Sequence, residues 1–94
     1  MPEPDDLSEA VTRATHEIVR YMIRHPDARD TLAGIRDWWL PSGSIYSPAV
    51  LQAALDTLTD WGWLVKQTLV SQTVVYGVSE AGLGPANEFL NERD

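Results

Sequence analysis

Apolar residues recur along this chain with two different periods, and the change of period divides it into elements. Leu7, Val11, Ala14, Ile18 and Met22 follow a helical spacing, with Ala10, Tyr21 and His25 alongside, and predict a first helix over Leu7–Arg24. Asp6 stands three residues before Glu9, a capping-box spacing with Asp in place of the usual Ser or Thr. Pro26 ends the helix, because the residue before a proline avoids the helical region. A second helix is expected over Leu32–Leu40, capped by Asp30 or Thr31, with Leu32, Ile35, Trp38 and Trp39 as its apolar side and Pro41 as its stop. Gly34 within it is unfavourable by about 1 kcal/mol relative to Ala, which a close helix–helix approach would explain. Pro41-Ser42-Gly43 reads as a turn, and Ser44-Ile45-Tyr46 is long enough for one short strand.

Ser47-Pro48 is a stronger start signal, with Ser at the N-cap and Pro at the first helical position. Val50, Leu51, Ala54, Leu55, Leu58 and Trp61 then fall on one face, and Gly62 supplies the left-handed residue that stops the helix. After Gly62 the period drops to two. Trp63, Val65, Gln67 and Leu69 alternate with Leu64, Lys66, Thr68 and Val70. Past a polar break at Ser71-Gln72, Val74, Tyr76 and Val78 alternate with Thr73, Val75 and Gly77. Two such runs around a polar break predict a β-hairpin. Leu83, Ala86, Phe89 and Leu90 suggest a short closing helix, with Gly84-Pro85 in its first turn.

Composition narrows the class. Ninety-four residues support one domain and one core, burying roughly 60–65% of the unfolded chain's surface. An apolar fraction of 44% with four Trp is globular. The absence of cysteine excludes disulfides, thiolate metal sites and a Cys nucleophile, and suits a reducing cytoplasm. The acidic opening Met1–Asp6 reads as a mobile tail ahead of a domain over residues 7–92, and it has no secretory pattern. No apolar run approaches the ~20 residues of a membrane helix. Seven Lys/Arg against fourteen Asp/Glu give a net charge of −7. Such a chain is repelled by nucleic acid unless its cations are concentrated in one place.

Two local patterns carry a family resemblance. Leu58-x-x-Trp61-Gly62-Trp63-Leu64-Val65 is similar to the passage from third helix to first wing strand in the winged helix-turn-helix superfamily. Tyr76-Gly77-Val78-Ser79-x-x-Gly82 is similar to the superfamily's entry from the last wing strand into the closing helix. The resemblance covers Leu7 to about Leu90. It implies an α+β winged helix: a three-helix core, a short strand plus a two-stranded wing hairpin, and a short C-terminal helix. In DNA-binding relatives the third helix enters the major groove and the wing touches the backbone or minor groove. Carried over, the groove positions are Ser47, Ala49, Gln52, Ala53, Asp56, Thr57 and Asp60, and the wing offers Lys66, Gln67, Ser71 and Gln72. None of the groove positions is Lys or Arg. Gln52 could read an adenine, but Asp56 and Asp60 would be held against phosphates, where like charges repel.

The remaining candidates each have a bland counterpart. Trp38 and Trp39 are about 100° apart on a helix and cannot point the same way, which leaves two readings: both core or half-buried, or one of them partly exposed and open to a partner. Trp61 and Trp63 read as core or half-buried. Leu64, Val70 and Val75 are surplus apolar positions on the hairpin, available to a second copy or another protein. Arg13, Arg20 and Arg24 share a face of the first helix with Glu17 among them, which reads first as a solvated face with helix ion pairs. His16 and His25 have no further ligands at metal-binding spacing. No G-x-S-x-G and no phosphate loop is present, and Gly82-x-Gly84 beside Pro85 reads as loop geometry.

The sequence therefore indicates no enzyme, no cofactor, no metal, no small-molecule ligand and no membrane. It points to a small cytoplasmic winged-helix protein that acts as a protein–protein interaction module or adaptor. The expected partner is another protein or a second copy of the chain, with nucleic acid disfavoured. The alternative is a dimeric DNA-binding regulator that uses its Arg-bearing faces in a non-standard way. A third reading is a domain separated from a larger system, with no activity of its own.

Overall fold

A computed structural model of the chain describes residues 5–40 and 45–93, with side chains for 9–40 and 45–90. Helix α1 (Asp5–Arg24) begins before Leu7, so Asp6 falls inside its first turn instead of at its cap. Strand β1 (Arg29–Asp30) follows, then α2 (Leu32–Gly34), which runs on as a π-helix over Ile35–Trp39. After an interval at 41–44 outside the described residues come α3 (Pro48–Asp60), β2 (Leu64–Thr68) and β3 (Val74–Val78). A 3₁₀ turn over Glu80–Gly82 leads into α4 (Leu83–Arg93), which has Gly84-Pro85 in its first turn as expected.

The core lies between α1, the π-helix, α3 and one face of the sheet. Ala14, Ile18, Val19 and Met22 of α1 meet Leu51, Ala54, Leu55 and Leu58 of α3, all with no exposed surface. Complete burial of each large aliphatic side chain contributes roughly 1.5–3 kcal/mol. Ile35, Trp39, Leu64 and Tyr76 close the core from the other elements, and Ala86 and Leu90 seal it from α4.

Helix α3 has the termini that its sequence implies. The Ser47 hydroxyl accepts the Val50 amide at 3.2 Å, and Gly62 sits at φ +82. That backbone conformation costs glycine nothing and a residue with a Cβ something like 1–2 kcal/mol.

The sheet is antiparallel in the order β1-β3-β2. Leu64 stands opposite Val78, Lys66 opposite Tyr76 and Thr68 opposite Val74, while Arg29 and Asp30 of β1 face Gly77 and Tyr76. The short strand is thus at residues 29–30, before the second helix. It is not at Ser44-Ile45-Tyr46, where Ile45 and Tyr46 pair with no strand and Ser44 lies outside the described residues. The hairpin turns through Leu69–Thr73: the Leu69 amide donates to the Thr73 carbonyl and the Gln72 amide to the Leu69 carbonyl, both at 2.8 Å. Gln72 holds φ 71, a left-handed conformation uncommon for a residue with a Cβ.

Two glycines are explained by close approach. A Cβ at Gly82 would stand 2.6 Å from the Cα of Trp63, so this position fixes the 3₁₀ turn against the start of the wing. A Cβ at Gly34 would overlap the Asp30 carboxylate. The atoms that crowd Gly34 most closely belong to a side chain from β1, where the sequence leads one to expect a close helix–helix approach.

Candidate interaction surface

The outward side of α3 carries little that a polyanion could use. Ser47, Ala49, Asp56 and Asp60 are exposed, and Gln52, Ala53 and Thr57 are half-buried. Gln52 is already committed: its Nε2 donates to the Tyr76 hydroxyl at 2.9 Å and to Asp56 Oδ1 at 3.0 Å. The Thr57 hydroxyl donates back to the Ala53 carbonyl at 2.9 Å. The face therefore presents two carboxylates, small side chains and one tethered amide. A specific duplex site draws instead on several cationic phosphate contacts and at least one base-reading donor.

Cations lie elsewhere. Arg13, Arg20 and Arg24 are exposed on α1, and Arg29 is exposed on β1. The Arg36 Nε donates to Asp37 Oδ1 at 3.0 Å, beside a cleft of about 480 Å³ lined also by Ile45, Tyr46, Ser47 and Pro48 at the start of α3. The wing has Lys66 alone, with Gln67, Ser71 and Gln72 also exposed. Lys66 projects from β2, one of the two edge strands of the sheet. A lysine there discourages unwanted strand pairing.

The apolar candidates divide. Trp38 is 77% exposed while Trp39 is buried and stacks on Tyr21 at 4.8 Å, so the pair points in two directions as their spacing requires. Val70 is fully open at the hairpin turn, and Val75 is half-buried on β3. Leu64 does not belong with them. It is 1% exposed and packs in the core, because β2 turns Leu64 inward and Val65 outward. A one-residue change of phase moves every side chain of a strand to the other face.

Val65, Leu69, Ile45 and Trp61 are exposed apolar residues that the sequence did not single out for contact. The period-two pattern held the signal for Val65 and Leu69, since one of the two alternating sets had to face outward. The helical spacing places Trp61 on the apolar side of α3. It instead lies at the end of α3 against Trp63, with ring centroids 4.8 Å apart, and both rings meet Phe89 of α4.

Beneath this surface Tyr46 ties the loop before α3 to α1. Its hydroxyl donates to Glu17 Oε2 at 2.7 Å. Burial, then the hydrogen bond to the Glu17 carboxylate and its charge, push the Tyr46 hydroxyl up to about 12. Among the described residues, no group of His, Asp and Glu converges as a metal site, and no helix is long and apolar enough to cross a membrane.

A helix, a short strand, two further helices, a hairpin and a closing helix follow one another along the chain, and a solved structure has a similar fold. The chain is similar to Lactococcus lactis ZitR, solved as a double mutant in apo form, with a TM-score of 0.61. The match covers 94% of this chain and 62% of that one, at 18% identity. The fold is a winged helix. At that identity the likeness is one of fold, and the chain spans less than two thirds of ZitR's length. No family model matches the chain, and no curated protein matches its sequence.

Proposed function

We propose that this winged-helix chain is a protein-binding module or adaptor of the cytoplasm, and that its contacts are made by Trp38 and by the outward side of the wing at Val65, Leu69, Val70 and Val75. The observation that carries this reading is the chemistry of α3. A helix whose open side holds Asp56 and Asp60, no cation, and a glutamine tied to Tyr76 is poorly suited to a phosphate backbone. The open tryptophan on the π-helix and the bare valine at the hairpin turn are suited to a protein, since aromatic side chains are favoured anchors of protein interfaces.

The second reading is a DNA-binding regulator. The winged-helix fold and the likeness to ZitR support it more directly than they support an adaptor. Within it, the phosphate contacts would fall to Lys66 and to the arginines of α1 and β1.

One pair of measurements separates the two. Fluorescence anisotropy with labelled duplex at about 50 mM salt, where phosphate contacts are strongest, should show no binding at micromolar protein. Affinity capture from the native cell with wild-type and Trp38→Ala/Val70→Ser baits should yield a protein that the variant loses. Duplex binding whose affinity falls steeply with salt would overturn the adaptor reading and establish the regulator.

A further inference from the structure

The open side of α1 carries a feature that the protein-binding reading does not use. Glu17, Arg20, Tyr21, Arg24 and His25 recur at spacings of three and four and so share one side of the helix. Together with Trp39 they line a cavity of about 230 Å³. Three rings form its wall. His25 lies on Tyr21 with centroids 4.2 Å apart, and Tyr21 lies on Trp39 at 4.8 Å and 13°. Trp39 is buried, Tyr21 half-buried and His25 exposed, so the stack runs from core to solvent.

The charges around the cavity favour an anion. Two guanidiniums, Arg20 and Arg24, stand against one carboxylate. That carboxylate is occupied: Glu17 Oε2 accepts the Tyr46 hydroxyl, and Oε1 is shut away from solvent. The Arg24 guanidinium has no hydrogen-bond or ion-pair partner among the described residues. On a chain of net charge −7, this is an exposed aromatic surface with positive charge beside it.

We propose that this cavity binds a small planar aromatic acid, its ring against the open part of the His25–Tyr21 stack and its acidic group on Arg24. The guanidinium is a planar fork that takes a carboxylate or phosphate through two parallel hydrogen bonds. The ring wall gives an offset or tilted aromatic contact that an aliphatic acid cannot make. The volume is below the range of about 300–1,000 Å³ typical of sites for drug-sized ligands, so the ligand has one or two rings. A neutral aromatic gains only the ring contact and an aliphatic anion only the fork. The site selects the molecule that has both, and it stands whether or not the protein-binding reading does.

Two-dimensional NMR titration of the full chain tests this, with benzoate and phenyl phosphate as probes and benzyl alcohol and acetate as controls. Saturable shifts at the Trp39 indole, Tyr21 and Arg24 are expected with one or both aromatic acids, and the tighter of the two identifies a carboxylate or a phosphate as the natural acidic group. Arg24→Ala, an exposed substitution, should weaken binding about tenfold or more while leaving the spectrum of the core unchanged. The proposal is overturned if neither acid saturates by about 10 mM. It is equally overturned if benzyl alcohol or acetate binds as well, or if Arg24→Ala leaves the affinity unaltered.

Discussion

α3 takes its limits from its own sequence: Ser47 opens it, Gly62 at φ +82 closes it, and five residues of one stripe are buried. The helical segment before it, Leu32–Trp39, is built differently. Only Leu32–Gly34 is α-helical, with no buried residue, and the rest is a π-helix whose Ile35 and Trp39 reach the core while Trp38 stays outside. Its start depends on a neighbour, because the Asp30 side chain accepts the Thr31 amide at 2.8 Å and crowds Gly34. A π-turn inserts an extra residue into the helical ladder and recurs at functional sites. Here it places one tryptophan inside and the adjacent one in solvent. The contrast implies that α3 is fixed by local signals and core burial, whereas the Leu32–Trp39 segment is fixed by what surrounds it.

The largest test of that contrast compares side chains from the two segments. Leu55→Ala on α3 removes a fully buried side chain and should cost about 2–5 kcal/mol in urea unfolding. Trp38→Ala on the π-helix should cost no more than about 0.5 kcal/mol, because the ring is 77% exposed. A Trp38→Ala loss comparable to that of Leu55→Ala would mean that the π-helix is held by its outer side and would remove Trp38 from the proposed contact surface.

Tyr46 comes next, since it joins the two segments' surroundings to α1. Tyr46→Phe leaves both Glu17 oxygens without a partner, a cost of about 1–3 kcal/mol for a buried polar group. The same residue sets an alkaline limit. Its hydroxyl titrates near 10.0 in the unfolded chain and is pushed up to about 12 in the folded one, first by burial and then by Glu17. The folded state therefore holds the proton more tightly. This contribution to stability is complete below pH 10 and is lost as pH rises from 10 towards 12. Urea midpoints measured across that window should fall for the wild type and fall less for Tyr46→Phe. Parallel curves would show that the hydroxyl is not the titrating group.

These positions also show where the sequence could be read and where it could not. The extent of α3, the hairpin and its turn, the closing helix and the divergence of Trp38 and Trp39 were all legible, because each rests on a local signal: a cap, a stop glycine, a change of period, an angle between neighbours. β1 was not. Two residues make a strand only because Gly77 and Tyr76 stand opposite them, and nothing within Arg29-Asp30 announces it. For Leu64, alternation gives two faces without saying which is the inner one; its core position is decided by its pairing with Val78 and the packing of α3. On α3, the carboxylates were visible in the sequence. The tether of Gln52 to Tyr76, 24 residues away, could only come from the fold.

The caps give a smaller and sharper test. Ser47→Ala should cost about 1 kcal/mol, because the Val50 amide loses the Ser47 oxygen at 3.2 Å. Thr31→Ala removes the matching bond to Gly34, also 3.2 Å, but the Asp30 carboxylate still accepts the Thr31 amide. Its cost should be the lesser of the two. Equal losses would mean that Asp30 contributes nothing to the start of α2.

Gly34→Ala has the smallest expected effect and says the most about α2. Gly34 sits at φ −66 and ψ −39, an ordinary helical conformation, so the backbone does not require glycine. Alanine there gains about 1 kcal/mol in helix propensity. Its methyl group must displace the Asp30 carboxylate, which forfeits the bond to the Thr31 amide, worth about 0.5–1.5 kcal/mol. The two terms nearly cancel, so the single substitution should move the unfolding midpoint very little. In an Asp30→Ala background that hydrogen bond is already gone and the obstruction with it. The same Gly34→Ala change should then stabilise by about 1 kcal/mol, and the difference between the backgrounds is the coupling between β1 and α2. Identical effects in both backgrounds would show that Asp30 does not govern Gly34, and the claim that α2 is fixed by its neighbour would fail with it.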